Sequence, residues 1–452
     1  MIKAGFSADM LHIQCAGLSA GGVDLSGSLD FELKAGNLNI LRGANGAGKS
    51  TLLKGLANAL PVQSVLFKPE FGLRDEMLVD EHLKILLHHL GQDQEEITGL
   101  LALIGLAELQ YERIGTLSSG QRARLGLCVL KAGGFKLWLL DEPLNALDAE
   151  GIRIFAGLVS AHLQHGGYLF MATHVDPGLL TSHLKGTAVV TYLLEQGMLK
   201  AGPSGQDASH TESIGQSGTQ PLLFPESMGS RAEAAAYGAF LFRDFRLFLG
   251  SPQMLLWGAL FHWMVLSFFG IGLGKASVEF TQVAIWTSLL LAVVLSAKDW
   301  FVEDHRVGWM GLLSSLHADN IARYWFVRIV WTVVCQIAVL VPVTGLASLQ
   351  FGLQPVQILA LIAALAMGVL AAVPLLGLLS LLVMLTRGGA VLVYLLALPL
   401  LVPVLIFGLE ASRAADLGRT ATAPLTVLGM LGLLLLLLGP VAAKRLVNLI
   451  QE

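Results

Sequence analysis

The sequence predicts an N-terminal α/β domain followed by an all-α domain of membrane-spanning helices, and three observations lead to this prediction. A glycine-rich loop lies between a short apolar run and a helix-compatible segment near the N-terminus. Over residues 1–200, short apolar runs alternate with stretches of helical period, which is typical of a largely parallel sheet. Beyond residue 230, long apolar runs dominate, each near the roughly 20 residues that a helix needs to cross a bilayer.

Length and composition support more than one kind of domain. The chain has 452 residues, too many for one ordinary core. Hydrophobic residues make up 54% and charged residues only 14%, so much of the apolar excess is expected in a membrane. The net charge of −4 and the lack of a basic stripe with interleaved aromatic residues indicate that nucleic acid is not a partner.

The glycine-rich loop fits the phosphate-binding pattern G-x-x-x-x-G-K-[ST] at every position. Its residues are Gly43, Ala44, Asn45, Gly46, Ala47, Gly48, Lys49, Ser50 and Thr51. The glycines let successive N–H groups turn toward phosphate oxygens, Lys49 adds a positive charge, and Ser50 offers a hydroxyl to Mg²⁺. The apolar run Leu38–Leu41 and the segment Leu52–Leu60 supply the strand and the helix that such a loop needs. We therefore predict an ATP-binding site that uses Mg²⁺.

Two further strand ends carry groups suited to phosphoryl transfer. The apolar strand Leu137–Leu140 leads into Asp141 and Glu142. An aspartate at this place can hold Mg²⁺ through water, and the adjacent glutamate can orient or deprotonate the water that attacks the γ-phosphate. His174 ends another apolar strand, from which its imidazole could reach the γ-phosphate. Glu142 and His174 are therefore the candidate catalytic residues, and Ser50 and Asp141 are the candidate metal ligands.

In this order and spacing the motifs resemble those of the ATPase domains of ABC transporters. The matching segments are the phosphate loop, the signature Leu117-Ser118-Ser119-Gly120-Gln121, the acidic strand end, the loop with Leu147-Asp148, and His174. The resemblance implies that two such domains close head to tail on two ATP molecules. The signature of one copy then contacts the γ-phosphate held by Lys49 of the other, and Asp148 lies in a loop at the interface. A second ATPase domain is the partner that this implies.

Three positions depart from the pattern of that family. Ser119 stands where the family usually has glycine. The strand Val62–Phe67 leads into Lys68, which takes the place of a glutamine that touches metal or water in the family. No aromatic residue stands around Val23–Leu25, the usual place for stacking on adenine. We therefore expect hydrolysis to be slow.

The first domain is predicted to end near residue 200. The runs Ala188–Leu194 and Met198–Lys200 indicate a closing hairpin. Residues 201–230 are rich in Gly, Ser, Gln, Thr and Pro, which predicts a flexible linker. The predicted organisation is thus an ATP-binding domain over 1–200, the linker over 201–230 and a transmembrane domain over 231–452.

Six membrane spans are predicted in the transmembrane domain. They cover residues 253–273, 280–297, 327–349, 358–384, 390–409 and 423–443. The fourth is long and contains Pro374, which predicts a tilt, a kink or a break into two pieces. Tryptophans near the predicted span ends are expected to anchor the chain at the membrane interface. They are Trp257, Trp263, Trp286, Trp300, Trp309, Trp325 and Trp331.

Basic residues between the spans predict the orientation. One side carries Arg243, Arg246, Lys298, Arg306, Arg323, Arg328, Arg387, Lys444 and Arg445, and the other carries Lys275, Arg413 and Arg419. The richer side is expected in the cytoplasm. The N-terminus shows no signal-peptide pattern, so the ATPase domain is expected on the same side.

Six spans behind the amphipathic stretch Phe240–Leu249 resemble the permeases of ABC-2 type exporters. By this resemblance, the loop between the second and third spans, with Glu303–Arg306 and the amphipathic Val307–Leu316, holds a coupling helix that docks on the ATPase. A solvated charged loop is the alternative. More narrowly, Arg387–Leu392 and Leu398–Gly408 resemble the ABC transporter of cytochrome c maturation. In that family the ATPase subunit CcmA and the permease subunit CcmB are usually separate chains, so this chain resembles a fusion of the two.

The narrower resemblance implies a function at the bacterial inner membrane, with the ATPase domain in the cytoplasm. ATP hydrolysis would release a haem-loaded chaperone or export haem. The implied partners are a haem-handling membrane subunit, which would hold the haem, and a periplasmic haem chaperone. Two alternatives remain at this point: an ABC-2 type exporter of a drug, lipid or polysaccharide, and an ATP-gated membrane assembly platform that transports nothing itself.

His262, in the first predicted span, is a candidate on the haem side. An ionisable residue within a membrane span is rare enough to suggest a function. Packing or contact with a partner is the alternative interpretation, which we prefer because His262 lies in the stretch Trp257–Trp263, near the far interface or in the middle of the membrane.

Overall fold

The chain forms two compact units in a computed structural model. The first unit includes Met1–Ala239 and Val307–Asn320, and the second includes Phe240–Arg306 and Ile321–Ile450. The structure describes residues 2–6, 9–15, 18–20, 23–25, 29–60, 63–69, 72–90, 92, 94–176, 178–184, 186–195, 198–201, 230–250, 253–273, 278–297, 300–316, 319–384, 389–414 and 419–451. The predicted linker over 201–230 lies outside the described residues except at its two ends.

Eleven strands are formed within the described residues of the first unit. They are β1 Ile2–Phe6, β2 Met10–Cys15, β3 Leu18–Ala20, β4 Val23–Leu25, β5 Leu29–Lys34, β6 Leu38–Arg42, β7 Ser64–Phe67, β8 Leu137–Asp141, β9 Tyr168–Ala172, β10 Val189–Glu195 and β11 Met198–Ala201. Six of them make one sheet in the order β11-β10-β6-β9-β8-β7. Strands β6 to β10 run parallel and β11 pairs antiparallel with β10, which confirms the predicted parallel sheet and its closing hairpin.

Sixteen α-helices are formed within the described residues of the two units. They are α1 Lys49–Ala59, α2 Val79–His89, α3 Ile97–Leu103, α4 Ser119–Gly126, α5 Cys128–Ala132, α6 Ala149–Gln164, α7 Gly178–Thr181, α8 Ser230–Gly250, α9 Gln253–Leu273, α10 Val278–Ala297, α11 Val302–Arg306, α12 Trp309–Leu316, α13 Asn320–Gln350, α14 Pro355–Met384, α15 Gly389–Ala414 and α16 Thr422–Gln451. A short 3-10 turn, Gln94–Glu96, precedes α3.

A second, antiparallel sheet of β1, β2 and β5 covers one face of the parallel sheet. In β5 every second residue is buried, so Leu29, Phe31 and Leu33 face the core. The ring of Phe31 lies 5.7 Å from that of Phe170 in β9 and 5.8 Å from that of Tyr192 in β10. This packing fixes the strands whose carboxyl ends carry the candidate site.

The segment Val307–Asn320 belongs to the first unit, although it lies between two predicted spans in the sequence. The N–H of Gly72 donates to the carbonyl of Val307, and the ring of Trp309 lies 6.0 Å from that of His89 in α2. Trp309 is 1% exposed, so it is a packing residue and its prediction as a membrane anchor is wrong. The amphipathic helix begins at Trp309 because Gly308 takes a φ of 79° and interrupts it.

The second unit is helical, and its apolar helices lie where the apolar runs predict them. Among the described residues, five helices are long and apolar enough to cross a membrane, namely α10, α13, α14, α15 and α16, and a shorter apolar helix covers Leu256–Gly272. The six spans therefore stay a prediction. Helix α14 continues from Pro355 to Met384 with Pro374 inside it, so the possible break at that proline does not occur.

Tryptophans in the second unit pack the helices together. Trp286 is fully buried, and its indole N–H donates to Ser412 Oγ at 2.9 Å, which joins α10 to α15. A side chain at Gly368 or Gly408 would overlap the Trp286 ring, so these glycines let the helices approach it. Three predicted anchors are buried instead: Trp286 at 0%, Trp300 at 4% and Trp325 at 1% exposure. The large rings fill gaps between helices, which outweighs their preference for the interface.

Candidate nucleotide site

The phosphate-binding loop joins β6 to α1 and is open on its outer side. Gly48 precedes α1 with a φ of 99°, a left-handed conformation that strains any residue with a Cβ. A Cβ on Gly43 would lie 2.5 Å from the carbonyl oxygen of Leu194. These two positions therefore require glycine for different reasons. Residues 44–46 are exposed, which leaves their backbone accessible to a phosphate group.

Lys49 directs its ammonium group into the loop. The group donates to the carbonyls of Gly43 at 2.8 Å and Ala44 at 3.1 Å, and its Nζ lies 2.8 Å from His174 Nε2. Burial lowers the pKa of Lys49, and the negative charges of Glu142 and Asp141 act in the opposite direction. Three acceptors satisfy the three ammonium hydrogens, so an incoming phosphate must replace at least one of them.

Ser50 and Asp141 form the predicted metal pair. Ser50 Oγ donates to Asp141 Oδ1 at 3.0 Å, and Asp141 is only 6% exposed. Two hard oxygen donors this close together suit Mg²⁺, which keeps several waters and takes few protein ligands. The other carboxylate oxygen, Oδ2, lies 2.6 Å from Lys68 Nζ, so this group already attracts a cation. The residues present therefore fit Mg²⁺.

Glu142 is held in a conformation that few residues adopt. Its φ is 51°, the one positive value among the non-glycine residues that the structure describes. Its N–H donates to Ala172 O at 2.9 Å, and its carboxylate accepts a hydrogen bond from the N–H of His174 at 3.2 Å. The strained turn thus places the carboxylate between the carboxyl ends of β8 and β9.

His174 connects the candidate base to the phosphate loop. Its Nε2 lies 2.8 Å from Lys49 Nζ and 3.6 Å from Glu142 Oε1. An ammonium group can only donate, so Nε2 is the acceptor of that hydrogen bond and the ring hydrogen lies on Nδ1. The imidazole is 45% exposed, which lets it approach a bound nucleotide.

A cavity of about 830 Å³ opens beside these groups. Its lining consists of Arg42, Gly43, Ala44, Asn45, Gly46, Ala47, Thr173, His174, Leu193, Leu194 and Glu195. The volume lies within the range of small-molecule sites.

The signature residues form a second group, around the start of α4. Ser118 accepts a hydrogen bond from the N–H of Gln121, and the Gln121 side chain accepts one from the N–H of Ser118, which makes a capping box. A Cβ on Gly120 would lie 3.2 Å from the carboxylate of Asp148. Ser118 and Ser119 are exposed. The start of α4 therefore presents two serine side chains to solvent.

Asp148 has contacts within its own chain that the sequence did not indicate. Its Oδ1 accepts from the N–H of Gly151 at 2.8 Å, so it is the N-cap of α6. Its Oδ2 lies 3.6 Å from Arg124 in α4. Asp148 thus links α4 to α6 and also lies next to the signature residue Gly120.

A buried ionic cluster in the second unit was missed by the sequence reasoning, which counted its arginines only for topology. It consists of Arg243, Asp244, Asp304, Tyr324 and Arg328. Arg243 and Tyr324 both donate to Asp304, and Arg328 donates to Asp244 at 2.8 Å. The cluster joins α8, α11 and α13. Adjacent charges in an amphipathic helix and an arginine at the start of a span were the available signals.

His262 has a partner on each ring nitrogen. Nε2 lies 2.8 Å from Thr344 Oγ1 and Nδ1 lies 2.9 Å from Ser288 Oγ, and the residue is fully buried. These contacts link α9, α13 and α10. They favour the packing interpretation of this residue over haem ligation.

Comparison with known proteins divides the chain in the same way as the motifs do. The family model described as ABC transporter matches residues 27–145. The model described as CcmB protein matches residues 235–449. The two matches lie one behind the other and do not overlap.

Similar proteins are found for the N-terminal part. A cytochrome c biogenesis ATP-binding export protein CcmA from Ruegeria sp. (strain TM1040) is 34% identical over 180 residues, which cover 38% of this chain and 87% of that protein. CcmA of Rhodobacter capsulatus is 36% identical and covers 38% and 83%. CcmA of Roseobacter denitrificans is 33% identical over 207 residues and covers 44% and 95%. Nearly the whole length of these relatives is therefore represented in the first half of the chain.

Proposed function

Because the chain belongs to the CcmA family of cytochrome c biogenesis ATP-binding export proteins and carries a CcmB domain behind its ATPase, we propose that it is an ABC transporter that serves cytochrome c biogenesis. The observation that carries this proposal is the presence of both parts in one chain. The CcmB match argues against an exporter of a drug, lipid or polysaccharide, since other ABC-2 type permeases would share only the general pattern of spans.

The ATPase activity is assigned to the cluster at the carboxyl ends of the parallel strands. Lys49 exchanges its loop carbonyls for phosphate oxygens, and the N–H groups of Gly43–Thr51 surround the phosphates. Ser50 and Asp141 are the residues that would hold Mg²⁺, which when bound shields the charge of the β- and γ-phosphates. Glu142 orients and deprotonates the attacking water. His174 moves from Lys49 Nζ to the γ-phosphate.

The site is completed in trans in this proposal. Ser118, Ser119, Gly120 and Gln121 of one copy approach the γ-phosphate bound to the loop of the other. Support comes from the exposure of Ser118 and Ser119 at the start of α4, since an accessible helix N-terminus is suited to binding an anion. Asp148 contacts Arg124 of the signature helix α4 and lies at the same interface. A second ATPase domain is therefore a required partner.

We place the working complex in the bacterial inner membrane, with the ATPase domain in the cytoplasm. ATP hydrolysis there releases a haem-loaded chaperone from a haem-handling membrane subunit. The contacts of Trp309 and Val307 with the ATPase unit support a coupling role for α12, because this segment lies in the sequence between α10 and α13, two helices long and apolar enough to cross a membrane. The hydrogen bonds on both nitrogens of His262 leave haem ligation to the partner subunits.

The test is genetic complementation in a bacterium that lacks its own CcmA and CcmB. The full-length chain should restore covalently bound haem in c-type cytochromes, measured by haem staining and by absorption spectra. Lys49→Ala should abolish the rescue. Restored growth without c-type haem, or rescue by Lys49→Ala, would contradict the proposed function.

A matched pair of variants separates coupling from ATP binding. Trp309→Ala removes the aromatic contact with α2 and should lower the maturation of c-type cytochromes while ATP binding persists. Trp257→Ala removes a tryptophan that is 67% exposed and serves as the control. Equal maturation in both variants would argue against coupling through α12.

A further inference from the structure

Lys68 is the one lysine in the described residues with an ion pair to the proposed metal ligand Asp141. It directly follows β7, and its Nζ lies 2.6 Å from Asp141 Oδ2. The carboxylate is 6% exposed, whereas the lysine side chain is 44% exposed. The buried Asp141 is therefore fixed in place, whereas the Lys68 side chain can move away from it without disturbing the packing of the core.

The two oxygens of Asp141 have different partners. Ser50 Oγ donates to Oδ1 at 3.0 Å, and Lys68 occupies Oδ2. Glu142 adds a second negative charge directly after Asp141. A nucleotide triphosphate arriving without a metal would meet both carboxylates, and like charges at this range repel each other. The Lys68 ammonium offsets one of them.

We propose that Lys68 is an exchangeable cation of the metal site, which neutralises Asp141 while nucleotide binds without Mg²⁺ and leaves Asp141 when Mg²⁺ enters. A neutral glutamine at this place could coordinate the metal or its water but could not neutralise the carboxylate. A lysine, by contrast, neutralises the carboxylate but cannot coordinate the metal. It supports metal-free nucleotide binding, and it competes with Mg²⁺ for Asp141 by charge.

Two opposite changes are expected when the positive charge is removed. In Lys68→Gln, the Kd for nucleotide in EDTA should rise, because Asp141 then loses the cation in direct contact with its carboxylate. The Mg²⁺ concentration that half-saturates the nucleotide complex should fall, because no resident cation opposes the metal. Since Lys68 is partly exposed, each change should be about 3- to 10-fold.

The experiment uses the full-length protein in detergent and a fluorescent, non-hydrolysable ATP analogue. Nucleotide affinity is measured in EDTA and in excess Mg²⁺, and Mg²⁺ is then titrated at a fixed nucleotide concentration. Lys84→Gln is the matched control, because the Lys84–Asp80 ion pair has the same 2.6 Å length and the lysine is 45% exposed, but the pair lies in α2. That variant should behave like the unchanged protein.

The outcomes distinguish a failure of the proposed role of Lys68 from a failure of the proposed metal site, on which that role rests. Equal Kd values in EDTA for Lys68→Gln and the unchanged protein would overturn the proposal, and so would a rise of equal size with and without Mg²⁺, which indicates direct phosphate contact. Ser50→Ala should raise the Mg²⁺ requirement. If Ser50→Ala leaves the Mg²⁺ requirement unaltered, both the proposed metal site and the proposed role of Lys68 are overturned. The proposed function in cytochrome c maturation is tested separately, by complementation, so the two failures can be told apart.

Discussion

Glu142 combines a left-handed backbone with a carboxylate aimed at the phosphate loop. Substitution by glutamine keeps the size of the side chain and an oxygen that can accept from the N–H of His174, but it removes the base. We therefore expect Glu142→Gln to lower the ATPase rate by about 100-fold or more while the Kd for ATP stays within about 3-fold. Unchanged turnover of the purified protein would remove Glu142 from the mechanism.

His162 makes the stability of the ATPase domain depend on pH. Its ring stacks on Trp138 with a centroid distance of 4.0 Å, and burial lowers its pKa from 6.5 to about 4. The unfolded chain therefore takes up the proton first as pH falls. The contribution to stability is complete above pH 6.5 and is lost progressively between pH 6.5 and 4, to a limit of about 3 kcal/mol.

Thermal unfolding followed by tryptophan fluorescence between pH 7.5 and 4.5 measures this loss. In His162→Phe, which keeps an aromatic ring beside Trp138, the melting temperature should fall less steeply over that range. His165→Phe changes an exposed histidine three residues further on, whose charge lowers the pKa of His162 less than burial does, so the slope should change much less than in His162→Phe. Parallel curves for all three proteins would show that His162 does not titrate in this way.

The candidate site shows how far single residues could be placed from sequence. Parallel strands end at a common edge, so Lys49, Asp141 and His174 could be expected together from the strand pattern alone. Their particular bonds could not. The bond from Lys49 to His174 and that from Lys68 to Asp141 depend on side-chain reach across neighbouring strands, which no local pattern encodes.

Local patterns predicted the elements well where period and burial agreed. The strand before the phosphate loop extends only one residue beyond the predicted Leu38–Leu41, to Arg42. The predicted amphipathic stretch Val307–Leu316 forms a helix only from Trp309 onward. A positive φ at a single residue, such as Gly308, leaves the hydrophobic period unchanged, so the sequence pattern does not show that a helix is interrupted there.

The ionic cluster in the second unit gives a prediction for the elements that it joins. Asp304 is 1% exposed and accepts from Arg243 and Tyr324. In Asp304→Ala the remaining buried cluster carries one excess positive charge. We therefore expect the free energy of unfolding to fall by about 3–5 kcal/mol. The double variant with Arg243→Met should recover a large part of that loss, since the remaining pair of Asp244 and Arg328 is neutral overall.

Thermal unfolding of the full-length protein in detergent provides the measurement. Glu303→Gln is the adjacent control, because Glu303 and Arg306 are exposed and 3.8 Å apart, and the change should cost less than about 1 kcal/mol. The sequence shows the charged residues of the cluster but not which of them pair. The residues that pair are 61 and 84 positions apart in the sequence, so no local pattern indicates the pairing. If Asp304→Ala unfolds like the control, the cluster does not stabilise the bundle.

At the scale of the whole chain, the fusion fixes one CcmB domain for each ATPase domain. A symmetric dimer is the simplest assembly that supplies two phosphate loops and two signatures. In such a dimer each site draws its loop and its signature from different copies. A site completed within one copy would make each chain independent, and the two arrangements respond differently when damaged copies are mixed.

Mixing two damaged copies therefore tests the composite site. Lys49→Ala disables the phosphate loop, and Ser118→Asp keeps a helix N-cap while it places a negative charge against the γ-phosphate. Neither variant alone should hydrolyse ATP. In a mixed dimer purified through two different tags, the loop of the Ser118→Asp copy meets the intact signature of the Lys49→Ala copy, which restores one working site and about half of the normal rate per dimer if the two sites act independently. A site completed within one copy gives no rescue, because each copy then carries its own defect, so an inactive mixed dimer would refute the arrangement in trans.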